Sequence, residues 1–155
     1  MPITISLQVY FAWFVAVLLI QTIVDWIFTG SILRQPLKQR IGYCALGNAV
    51  ALLVAVLAGA LLNPLNTSLL SAGKEGDFLG MAVLAVVVEY ILFGVLFGTV
   101  KHWLVRWIAM EGEQNPERLS AWWGYTIVGS IPTILLAAPP FFIATLLPKL
   151  MEAWG

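Results

Sequence analysis

MAVLAVVVEYILFGVLFGTV, residues 81–100, carries a single charge, Glu89. At a helical rise of ~1.5 Å per residue this run spans ~30 Å, the thickness of a bilayer's hydrocarbon core. A carboxylate inside such a segment costs roughly 3 kcal/mol on insertion scales, so it persists by facing protein or water rather than lipid. The motif has an echo earlier in the chain. Glu89-Tyr90-Ile91-Leu92-Phe93-Gly94 reads like Asp25-Trp26-Ile27-Phe28-Thr29-Gly30, an acid and an aromatic followed by mostly apolar residues and a glycine.

The whole chain shares this character. Of its 155 residues, 61% are hydrophobic and 10% charged, and mean hydropathy is +0.93. Soluble domains carry roughly 25% charged residues, so an integral membrane protein is expected, with the lipid bilayer as its first partner. Formal net charge is zero and no basic run occurs, which argues against nucleic acid as a partner. With Cys44 the only cysteine, no intrachain disulfide and no cysteine cluster for zinc can form. The first charge is Asp25, so the N-terminus lacks the basic start of a secretory signal, and the first apolar run reads as a retained span.

Four spans follow in order, at approximately 5–30, 41–62, 78–107 and 119–147. Asn63-Pro64 marks the expected end of the second helix, with a loop from Asn63 to Asp77. The polar run from Glu111 to Arg118 leads into the fourth, where Ser120 is the expected N-cap. Pro132 and the pair Pro139-Pro140 are expected to kink or break that helix. The fold class is therefore all-α, a polytopic four-transmembrane-helix bundle in one domain, 1–155.

Arg34, Lys38, Arg40, Lys101, Arg106 and Arg118 cluster in or beside the first and third loops, while Lys74 and Lys149 lie at the other end. This distribution predicts that those two loops are cytoplasmic and both termini outside, in a bacterial inner membrane. Trp103, Trp107, Trp122, Trp123, Tyr43 and Tyr125 are placed at the inner boundary as an aromatic belt. An internal repeat is also suggested, because Gly42-Tyr43 through Asn48 aligns with Gly124-Tyr125 through Ser130. A duplication would make two tandem hairpins about an axis along the membrane normal; the alternative is chance likeness between apolar helices. Gly47, Ala51, Ala55 and Gly59 share one helical face, as do Gly129, Thr133 and Ala137, and Gly94 with Gly98 adds a third close-packing surface.

The polar residues point to a site inside the bundle. Gln21, Thr22, Asp25 and Thr29 share a face of the first helix, and Thr126, Ser130 and Thr133 share one of the fourth. Counted from the nearest basic residue, Asp25 lies ~13 Å deep, Asn48 ~12 Å and Glu89 ~18 Å. Asp25, Glu89, Asn48, Ser130, Gln21 and Thr133 are thus expected to form a proton or cation site. The acids would be protonated and hydrogen-bonded, would share a cation, or would line a watery cleft. Lys101 and Arg106 would have to reach down to serve as counter-ions. His102 reads as a solvated boundary residue and Cys44 as a packing residue. A haem held by two histidines is excluded, because the chain has one. No nucleophile–base pair, phosphate-binding loop, dinucleotide fingerprint or HExxH is present, and no cofactor, metal site or enzymatic activity is expected. Two functions remain in view: a small transporter or channel-like protein, or a non-catalytic assembly subunit of a larger membrane complex. Other membrane subunits or a second copy of the chain are the protein partners considered.

Overall fold

A computed structural model of the chain describes residues 7–72 and 78–136. Over these residues it is all-helical. The elements are α1 (Leu7–Phe28), α2 (Leu37–Ala72), α3 (Phe78–Ala109) and α4 (Pro116–Gly129), with a further helical stretch at 131–136. Four helices are long and apolar enough to cross a membrane. The outer faces are lined with large apolar side chains such as Val83, Val87, Ile91 and Val95 on α3. Water would not tolerate so extensive an apolar surface, whereas hydrocarbon does, because a helix closes its backbone hydrogen bonds along its own length.

The interior is layered. Toward the far end of the bundle, Val17, Ala51, Leu52, Ala55, Phe93 and Phe97 form one buried cluster. Near the α1–α2 and α3–α4 connections, Leu33, Cys44, Val105, Ala109, Met110 and Trp122 form another. Between them lies a polar layer, reached on each of the first three helices in steps of about one turn. On α1 the face reads Val17, Gln21, Asp25, Thr29, then Leu33 just beyond the helix; on α3 it reads Phe93, Phe97, Lys101, Val105, Ala109; on α2 it reads Cys44, Asn48, Leu52.

Small residues set the approach of α2 to α3. Gly47, Ala51 and Ala55 are all buried. A Cβ added at Gly47 would lie 2.5 Å from Val105 Cγ2, so only glycine permits this spacing. Gly94 serves the stretch 131–136 similarly, with Ile134 Cδ1 2.9 Å from where its Cβ would be, while Gly98 faces open space.

The helix ends differ from the sequence expectations in instructive ways. The second helix does not stop at Asn63-Pro64 but runs to Ala72. The apolar span itself ends at Leu61, so the helix continues past the stretch that crosses the membrane, and proline withdraws only one N–H from it. The fourth helix starts three residues before Leu119. Its N-cap is Asn115, not Ser120, and the Asn115 side chain accepts from the Glu117 N–H at 3.0 Å. Pro116 then occupies the first helical position and Glu117 the first turn, both favourable there. α4 steps at Ser130 before the stretch 131–136, two residues ahead of Pro132. Pro139-Pro140 lies outside the described residues.

The two connections at this end are latched together. Arg118 donates through Nε (3.2 Å) and Nη2 to the carbonyl of Ile32, and pairs with Glu113. Gln35 donates to the carbonyl of Ala109, at the last residue of α3. The aromatic belt is only partly as expected. Trp103, Trp107 and Trp123 are exposed to the surroundings, but Trp122 is fully buried and donates to the His102 carbonyl at 3.2 Å.

Candidate functional site

Asp25 lies three residues before the end of α1, and its side chain is fully buried. Its carboxylate is met from all four helices. From α3, the Lys101 ammonium donates to Oδ1 at 2.6 Å; both side chains have zero solvent exposure. From α4, the Tyr125 hydroxyl donates to the same oxygen at 2.6 Å. From α1 itself, Gln21 Nε2 donates to Oδ1 at 3.0 Å, one turn earlier. From α2, Asn48 Nδ2 donates to Oδ2 at 2.6 Å. Oδ1 therefore carries three donors and Oδ2 one.

A lone carboxylate in this layer would be strongly disfavoured by desolvation, and so would a lone ammonium. Side by side they sum to zero charge and each satisfies the other. The Lys101 stem also lays its ammonium 5.7 Å from the Phe97 ring and 5.6 Å from the Tyr125 ring, distances at which aromatic faces attract a cation.

A second ring of contacts supports the first. Gln21 Nε2 also donates to the carbonyl of Gly129 at 2.7 Å, and its Oε1 accepts from the Thr133 hydroxyl. Gly129 is the last residue of α4, where carbonyls are left for side chains to satisfy. Ser130 lies beside this contact but sends its hydroxyl to the Thr126 carbonyl of its own helix at 2.5 Å. Thr29 does likewise, to the Asp25 carbonyl. One buried atom is left over: Asn48 Oδ1 has no hydrogen-bond partner, although Asn48 is 1% exposed.

Of the six expected site residues, Asp25, Asn48, Gln21 and Thr133 come together, and Ser130 borders them. Glu89 does not join them. It is half-buried on α3, twelve residues from Lys101, or ~18 Å along the helix. The partner that Asp25 finds on α3 is thus a lysine rather than the second acid. Lys101 and Tyr125, expected at the boundary, are instead the two closest donors on α3 and α4. The signal was present: Phe93, Phe97, Lys101, Val105 and Ala109 fall at four-residue spacing, as do Gln21, Asp25 and Thr29. Matching those two faces brings the opposite charges together.

His102 also departs from expectation. It is 1% exposed, with its ring stacked on Trp123 at 3.9 Å between centroids and near Trp122 at 6.1 Å. Its Nδ1 lies 3.5 Å from the Thr126 hydroxyl, which also contacts the Trp122 carbonyl at 2.7 Å. Beside this layer α3 and α4 diverge, leaving a groove of about 380 Å³ lined by Tyr90, Gly94, Gly98, Trp123, Thr126 and Ser130 among others.

No protein-family model, curated protein or solved structure matches this chain.

Proposed function

We propose that this chain is a small membrane transporter or channel-like protein whose working group is the Asp25 carboxylate, which takes up a proton or a monovalent cation. The observation that carries the reading is the Asp25–Lys101 pair itself, a 2.6 Å contact with both side chains fully buried between apolar layers. Ionisable groups at such depth are expensive, and a bundle needing only cohesion could pack apolar side chains there at no loss. Neutralising Asp25 would strip Lys101 of its counter-ion, and the lysine would then have to move or lose its own charge. A binding event at one carboxylate is in this way converted into a rearrangement between α1 and α3. Asn48, Gln21 and Tyr125 hold the carboxylate in place, and the step in α4 offers the give that such a motion requires.

In this reading the α1–α2 and α3–α4 connections face the cytoplasm and the termini lie outside, in a bacterial inner membrane. Lys101 no longer counts as a boundary charge, but five basic residues still stand against two. Duplication into tandem hairpins is a separate proposal. Its register pairs Asp25 with Glu89, and the ~18 Å between Glu89 and Lys101 weighs against that register.

The test is reconstitution into vesicles loaded with a pH-sensitive dye. The wild-type protein should dissipate an imposed pH or cation gradient, and Asp25→Asn should not. Rates equal to protein-free vesicles would overturn the reading. The alternative, an assembly subunit, would then lead. It is favoured by the α3–α4 groove, which a neighbouring helix could fill, and it predicts co-purification with other membrane subunits.

A further inference from the structure

We propose that Asp25, Asn48 and Thr22 form a binding site for a monovalent alkali cation, for which the Lys101 ammonium is a tethered competitor. This rests on the reading of Asp25 as the working group and narrows what that group takes. The two carboxylate oxygens are unequally served. Oδ1 receives Lys101, Tyr125 and Gln21, while Oδ2 receives only Asn48 Nδ2. The same Nδ2 reaches Thr22 Oγ1 at 3.4 Å, so Asn48 bridges Oδ2 and a hydroxyl of α1. Its own oxygen, Oδ1, is buried and has no partner.

A half-turn of the Asn48 amide exchanges these atoms. Oδ1 then faces the point between Asp25 Oδ2 and Thr22 Oγ1, and three oxygens from two helices converge where an N–H pointed before. Against a bare carboxylate that orientation is repulsive, which is why the amide donates in the lysine-bound state. With a small hard cation between the oxygens it becomes the favourable one, since carboxylate, amide carbonyl and hydroxyl are the donors such ions select. The orphaned oxygen thereby gains a partner in the ion-bound state, and the amide N–H groups take the position it leaves.

Charge decides what binds and what must leave. One carboxylate balances one positive charge, and two cations in this layer would leave an uncompensated charge in low dielectric. The free ion and the Lys101 ammonium therefore exclude each other. Lys101, displaced with its charge, can extend its flexible stem toward the end of the bundle carrying the connections. A divalent ion would require more carboxylates, and among the described residues no group of three or more His, Cys, Asp or Glu could hold one.

The experiment measures the thermal unfolding midpoint of the purified protein in lithium, sodium, potassium and choline chloride at equal ionic strength. Wild type should be stabilised by at least one alkali ion relative to choline, which is too large to enter. Removing the competitor in Lys101→Met should lower the half-saturating ion concentration about tenfold, and losing a ligand in Thr22→Val should raise it about tenfold, each equivalent to ~1.4 kcal/mol. Should Lys101→Met fail to fold, wild type and Thr22→Val decide. Identical midpoints in all four salts would overturn the site, as would a stabilisation that Thr22→Val leaves unchanged. If the midpoints ignore alkali ions while vesicles still move protons in an Asp25-dependent way, the cation site falls and proton handling stands. If both fail, both fall.

Discussion

Removing either member of the Asp25–Lys101 pair leaves a bare charge among apolar side chains, and this sets the largest single-residue effects expected in the molecule. Asp25→Asn and Lys101→Met should each destabilise by about 3–5 kcal/mol, whereas the double variant should lose much less than the sum. Thermal or denaturant unfolding of the purified protein reads this cycle, and additive losses would show that the two side chains act independently. Tyr125→Phe keeps the ring and removes only the hydroxyl donated to the carboxylate, so ~1.5–3 kcal/mol should be lost. At this scale the sequence announced the importance of Asp25, since a carboxylate within an apolar helix has few explanations. It did not announce Lys101 as the partner, because a lysine near a helix end is equally suited to marking the boundary. Only the facing of α1 on α3 separates the two roles.

Whole elements follow from simpler rules, and their margins were legible to different degrees. The apolar runs gave all four helices, since nothing else satisfies the backbone in hydrocarbon. The start of α4 was misplaced because a serine was weighed above Asn115-Pro116-Glu117, although proline in a helix's first turn is the stronger mark. Asn115→Ala should accordingly destabilise by about 1 kcal/mol, while Ser120→Ala should have little effect, as measured by unfolding of the purified protein. The α2–α3 contact is governed by Gly47. Gly47→Ala should cost about 1–3 kcal/mol, because its methyl would overlap Val105, a fully buried and rotationally stiff side chain. Adding Val105→Ala should restore part of that loss. If it restores none, the contact does not govern the helix approach.

At the scale of the molecule, the bundle is a polar layer enclosed between two apolar ones, with its connections tied across one end by Arg118 and Gln35. The tandem-hairpin pattern drew attention to Glu89, whereas the contacts around Asp25 are made by Lys101, Tyr125, Gln21 and Asn48. Topology can be tested directly. A reporter fused after Gly155 should be active outside the cytoplasm and one placed near Asn115 inside; the reverse would turn the site toward the other face of the membrane.

Because Asp25 and Lys101 are separated by 76 positions in the chain, their pairing also orders the birth of the protein. Synthesis delivers α1 and α2 to the membrane well before α3 emerges. Until then Asp25 has Gln21 and Asn48 for company but no opposite charge, so the early hairpin is unsuited to release into lipid. It must wait at the insertion machinery, or shed its charge by taking up a proton, until Lys101 arrives. A ribosome stalled once α2 but not α3 has cleared the exit tunnel should therefore leave a nascent chain that crosslinks to the insertion channel, while one stalled after α3 has cleared it should not. Asp25→Leu should free the shorter chain into the bilayer early. The charge that defines the finished site would then also act, during assembly, as a checkpoint that the arrival of the later half of the chain clears.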